Sequence, residues 1–240
     1  MPIRKALAIA RKETRSYFVS PIAYVVALVF VSLTGYFFVD AMSSEIFPEA
    51  SVNSYTGRSI FILALVGPLL TMKLLAEEQK LGTIELLLTS PVRDWEVILG
   101  KFLASLAIFG SALALTLVYV AFLFAFGNPD LGPIVTAYVG LFLFGAGALA
   151  VGLFTSALTS NQIVAAILSY GVLTLLTIIH LAADQMDGAM ATLLNELSMV
   201  SQFEDFTRGI LNLRSVIYYL SMIVVFLFLA VRALEFRRWK

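Results

Sequence analysis

The sequence has no cysteine, and among its 240 residues there is a single histidine, His180. The first absence excludes disulfides, thiolate metal sites and a cysteine nucleophile. The second excludes a multi-histidine metal centre. Charge is scarce as well: 13 % of residues are charged, with 16 basic and 16 acidic side chains in balance. A neutral chain offers no global basis for binding nucleic acid. A soluble domain of this length would need far more polar surface than this chain carries. What is abundant is apolar sequence, 60 % of the whole. It falls in recurring runs of about twenty residues, the length that crosses a bilayer as a helix. The fold class read from this pattern is all-α: a polytopic membrane protein.

Six transmembrane helices are predicted, over 21–39, 60–75, 98–126, 134–154, 163–183 and 216–232. The first is expected to be a retained span, because a 19-residue apolar run is long for a signal-peptide core and five more follow. The second contains Gly67-Pro68, which predicts a kink and a freed carbonyl for neighbouring helices to satisfy. The third is long enough to protrude from the membrane, and Ser90-Pro91 reads as its start, an N-cap followed by proline in the first turn. With the N-terminus inside, thirteen of the 16 Lys and Arg residues fall on the cytoplasmic side, leaving Arg58, Arg208 and Arg214 outside. The positive-inside rule therefore predicts that both termini are cytoplasmic.

Residues 3–18 have the pattern of an amphipathic helix. Ile3, Leu7, Ala10, Thr14 and Tyr17 share one face, and Arg4, Lys5, Arg11, Lys12 and Arg15 the other. Such a helix lies in the interface with its apolar side in lipid and its cations toward headgroups. The segment "AEEQKLGTIELLLTSPVRDWEVILGK" (76–101) is the long polar stretch between spans two and three. Gly82 should break the helix leaving span two, and Thr83 can cap a new short helix with Glu85 in its first turn. Ile84, Leu86, Leu87 and Leu88 give that helix apolar anchors. A short helix presented crosswise suits a groove in another protein, the leucines supplying affinity and the charges register. The competing reading is a solvated turn lying back on the headgroups.

On the external side, residues 184–215 are acidic at Asp184, Asp187, Glu196, Glu204 and Asp205, yet too apolar for a free loop. Two short helices are predicted there, with Ser201-x-x-Glu204 as a capping box. They either dip into the outer leaflet or merely seal the bundle. In the fourth span Gly145, Ala148 and Gly152 lie on one face, with Gly147 nearby, which predicts close helix packing. No span carries a charge at its middle, which argues against an ion-coupled transporter. The pair Glu77-Glu78 raises an intramembrane glutamate protease, but its further ligands are lacking and the sole histidine is at the other side.

The stretch 77–101 resembles the segment after the second span of ABC-2 type exporter permeases. The matching positions are Glu77-Glu78, Gly82-Thr83, Glu85-Leu86-Leu87, Ser90-Pro91, Arg93-Asp94 and Gly100-Lys101. Residues 197–231 resemble the gliding-motility-associated branch of the same family, departing at Val200-Ser201-Gln202, where a histidine is expected before the phenylalanine. The resemblance covers essentially the whole chain. It implies one transmembrane domain over 1–240, with an elbow helix over 1–20, a cytoplasmic coupling region over 76–97 and an external helical region over 184–215. It further implies that Glu77, Glu78, Gly82, Thr83, Glu85, Leu86 and Leu87 couple the chain to a separate cytoplasmic ABC ATPase. Phe203 and Phe206 would belong to an external gate. The expected assembly pairs two permeases, identical or paralogous, with two ATPases in a bacterial inner membrane, with accessory envelope subunits as further partners. ATP and Mg would sit on the ATPase, and this chain itself would be no enzyme and bind no cofactor. Indeed Gly100-Lys101 is followed by Phe102 and no glycine stands at position 95, so there is no P-loop. The alternative within the same resemblance is a non-transporting structural subunit of a motility or envelope assembly.

Overall fold

The computed structural model describes residues 2–44, 53–83 and 92–238, and all regular structure among them is helical. In chain order the helices are α1 (Pro2–Val19), α2 (Pro21–Ser44), α3 (Asn53–Thr71), α4 (Lys73–Lys80), α5 (Asp94–Leu115) and α6 (Leu117–Phe126). They continue with α7 (Leu131–Leu158), α8 (Gln162–Ala183), α9 (Ala189–Leu197), α10 (Met199–Thr207) and α11 (Leu213–Arg238). Six segments are long and apolar enough to cross a membrane: Ala23–Ser43, Thr56–Lys80, Asp94–Phe126, Leu131–Leu158, Gln162–Ala183 and Leu213–Phe236. They match the six spans read from the sequence.

The bundle is built around α7, which packs against α3, α5, α8, α10 and α11. Of its most apolar stretch 72 % is buried, against 22 % for the last span. Small residues make this possible, because backbones in a membrane associate by close packing rather than by exclusion of water. A β-carbon on Gly145 would stand 2.2 Å from the Phe109 ring, and one on Gly152 2.0 Å from Thr71 Oγ1. Ala148 meets Gly67 of α3. The small-residue face predicted for the fourth span is thus its packing face.

The second span is interrupted at Met72, one turn beyond Pro68. Around the proline, side chains take up backbone carbonyls: Thr71 donates to Gly67 O at 3.0 Å, and Tyr170 of α8 donates to Leu65 O at 2.9 Å. The third span has a break that the sequence reading did not anticipate, at Thr116. There the Thr116 hydroxyl donates to Leu113 O at 2.6 Å and Tyr138 donates to Thr116 O at 3.0 Å. Its start also differs from expectation. Ser90 and Pro91 lie outside the described residues, Val92 and Arg93 are not helical, and the helix opens at Asp94. The Glu96 carboxylate accepts from the Arg93 N–H at 2.8 Å, so an acidic third residue fixes the start there.

At the opposite end, two short helices form as predicted, but they differ in burial. None of α9 is buried, whereas α10 places Met199, Phe203 and Phe206 in the core. The Ser201–Glu204 capping box is not formed. Ser198 caps the helix, accepting from Ser201 N at 3.3 Å, and Glu204 pairs with Arg208 at 3.1 Å. The earlier start adds Met199 to Phe203 and Phe206 on the buried side of α10.

Candidate functional site

The end of the bundle that carries α1 and α4 and the first turns of α5 brings distant charged residues together. It begins with Gly100. A β-carbon there would stand 2.8 Å from both the Ala6 carbonyl and Ile9, so its absence lets the backbone of α1 lie directly on α5. The contacting face of α1 runs through Ala6, Ala10, Glu13 and Tyr17, at spacings of four, three and four. This corrects the lipid-facing stripe expected from the sequence. Ala10 and Tyr17 of that stripe are buried in protein, while Leu7 is 56 % exposed. The apolar pattern found the helix but not the side that packs on protein; Gly100 on α5 fixes that side by admitting the backbone at Ala6.

Next to Gly100 stands Lys101, which is 1 % exposed. Its Nζ lies 2.7 Å from Glu78 Oε1 of α4 and 3.4 Å from Glu13 Oε1 of α1. A buried ammonium needs such partners, because losing hydration costs more than one imperfect contact returns. The second oxygen of Glu78 is buried with no hydrogen-bond partner among the described residues. Tyr17 donates to Leu70 O at the end of α3, and the Lys73 ammonium lies 5.1 Å from the centre of its ring. Burial, and secondarily the Glu13 carboxylate, pushes the Tyr17 phenol well above its ordinary pKa, so it remains a donor. Together Lys12, Glu13, Tyr17, Lys73, Glu77 and Lys101 border a cavity of about 280 Å³.

The short helix α4 is held from its other side by α7. Met72 provides no side-chain cap for it. Instead the Ser156 hydroxyl accepts from Leu75 N at 3.1 Å and Ala76 N at 3.0 Å, and donates to Met72 O at 2.9 Å. Gln79 donates to Ala157 O at 3.0 Å. The helix then ends as the sequence predicted. Leu81 N donates to Glu77 O, Gly82 N donates to Gln79 O, and Gly82 takes φ +70°, a conformation that side chains other than glycine's resist. Thr83 donates back to Glu78 O at 3.4 Å.

Of the residues singled out for coupling, Glu77 is exposed, Glu78 turns inward onto Lys101, and Gly82 and Thr83 form the exit from α4. Glu85, Leu86 and Leu87 lie outside the described residues. Phe203 and Phe206 are at the other end, buried against Phe144 and Tyr219 at ring separations of 6.2 and 6.3 Å. Sequence reasoning named Lys101 as part of a motif but missed its burial and its partner Glu13.

The chain is 27 % identical over 104 residues to the "Probable multidrug ABC transporter permease YbhR" of Escherichia coli K12, and equally to that of Escherichia coli O157:H7. The matched stretch is 43 % of this chain and 28 % of each relative, so only a minor part of their length is shared. The sequence profile of the ABC-2 family transporter proteins matches residues 7–239, nearly the whole chain. On that match the chain is a multi-pass membrane protein that belongs to the ABC-2 family of transporter permeases.

Proposed function

We propose that this permease forms half of the path of an ATP-driven exporter and is driven by a separate cytoplasmic ABC ATPase. The observation that carries the reading is the exit from α4. A helix anchored on both sides, by Ser156 and by Lys101, ends at a positive-φ glycine directly before the apolar run Ile84–Leu88. That run is the docking element, with Leu86 and Leu87 as buried anchors and Glu77 and Glu85 at its rim. Both termini and this segment face the cytoplasm of a bacterial inner membrane, in keeping with the bias of Lys and Arg. ATP and Mg are bound by the ATPase. Two permeases, identical or paralogous, work with two ATPases, and Phe203 and Phe206 close the external end.

The test is the permease–ATPase complex in nanodiscs. Its native mass should equal two permeases and two ATPases. Leu87→Asp should abolish binding of the ATPase while leaving the six spans inserted, because losing such an anchor costs about 2 kcal/mol or more and a buried charge adds to it. Phe226→Ala, in the last span, should retain binding. Retained ATPase binding and stimulation in Leu87→Asp would overturn the reading.

A further inference from the structure

We infer that Lys101 is a positioning residue for coupling: it ties α1, α4 and α5 into one unit, so that a displacement entering at the docking segment moves the elbow helix and the third span together. This inference rests on the proposed docking of residues 84–88. Its ground is the packing of the three helices. Helix α1 packs chiefly on α5, and α4 chiefly on α7. They belong to different neighbourhoods of the bundle, and the Lys101 ammonium touches a carboxylate from each, 3.4 Å from Glu13 and 2.7 Å from Glu78. Lys73 over the Tyr17 ring ties the first turn of α4 to α1. Lys101 ties its last turn, the one from which the chain leaves for the docking segment.

The chemistry suits a transmitting contact better than a filler. At a buried site of this shape, an apolar side chain of similar length would pack without any desolvation cost. The ion pair is instead directional, and in low dielectric it resists separation over a longer range than dispersion does. It is also incompletely satisfied, since Glu78 Oε2 has no partner among the described residues. The three helices are therefore held by charge beside Gly100, where the backbone of α1 lies directly on α5.

The test separates binding from stimulation. The chain has no cysteine, so Ser16→Cys and Lys80→Cys can be spin-labelled alone to report the distance between α1 and the end of α4. In the nanodisc complex, Lys101→Met should keep its affinity for the ATPase within about twofold. It should lose permease-dependent stimulation of ATP hydrolysis and broaden the label distance distribution. Should Lys101→Met fail to accumulate, Glu13→Gln decides: it leaves the Glu78 contact in place and should lower stimulation at least twofold with affinity unchanged. Unchanged stimulation with an unchanged distance distribution overturns the inference, and so does parallel loss of affinity and stimulation, the signature of a merely structural lysine. Leu87→Asp is the companion control. If it keeps binding, the docking reading itself fails; if it loses binding while the Lys101 and Glu13 variants behave as wild type, only the role of Lys101 fails.

Discussion

Ser156 shows how much one hydroxyl does where two helices meet end to side. It stands in for the missing cap of α4, accepting from the Leu75 amide, which has no acceptor within α4, and from the Ala76 amide beside it, and donates to the carbonyl at the break. Ser156→Ala should leave the buried Leu75 donor unpaired, at a cost of about 1–3 kcal/mol. The expected result is a melting temperature lower by several degrees for the purified permease in detergent. Ser111→Ala is the comparison: that hydroxyl bonds only to a carbonyl of its own helix, Ile108 O, from an exposed position, and its loss should shift the midpoint little. Neither role was legible beforehand, since Ser156 lies just past the predicted end of the fourth span at 154. Lys101 was half legible. The Gly-Lys pair stood out at the entrance to the third span, but its two carboxylates are 23 and 88 residues away. No local pattern encodes a contact of that separation.

At the scale of the element, α1 gives the sharpest contrast between pattern and packing. Its helical period was plain, but its apolar face, with Leu7, Ala10 and Tyr17 together, was expected to lie in lipid. The structure places Ala6, Ala10 and Tyr17 inside and Leu7 out. Tyr17→Asp should therefore detach α1, removing the bond to Leu70 O and burying a second carboxylate beside Glu13, whereas Leu7→Asp should be tolerated by the fold. Protease accessibility of the N-terminal helix in reconstituted protein distinguishes the two: rapid cleavage is expected for the first and wild-type resistance for the second. Capping signals proved similarly local. Glu96 and Ser198 set the starts of α5 and α10, three residues from the positions that Ser90-Pro91 and Ser201 suggested. Gly82 was read correctly because a positive φ depends on the residue itself rather than on its neighbours.

For the whole molecule, the number and extent of the spans were legible because hydrocarbon thickness imposes a length that survives any detail of packing. The centrality of α7 was legible only through its glycines and alanines. Orientation can be tested with the same cysteine-free background. A membrane-impermeant maleimide should label Asp187→Cys, in the connection after α8, in intact cells. It should reach Lys80→Cys, at the end of α4, only after permeabilisation. The reverse labelling would invert the assigned topology and take the docking proposal with it.

The position of α7 at the centre also orders the life of the nascent chain. Ribosomes add roughly 5–20 residues per second, and α7 is complete only when Leu158 has been made. Until then Phe109 of α5 has no Gly145 to lie against, and Gly67 and Thr71 of α3 have no Ala148 or Gly152. The second and third spans must therefore leave the translocon, or remain beside it, for seconds with the surfaces that meet α7 unmatched. The bundle closes only when its fourth member arrives between helices already in the bilayer.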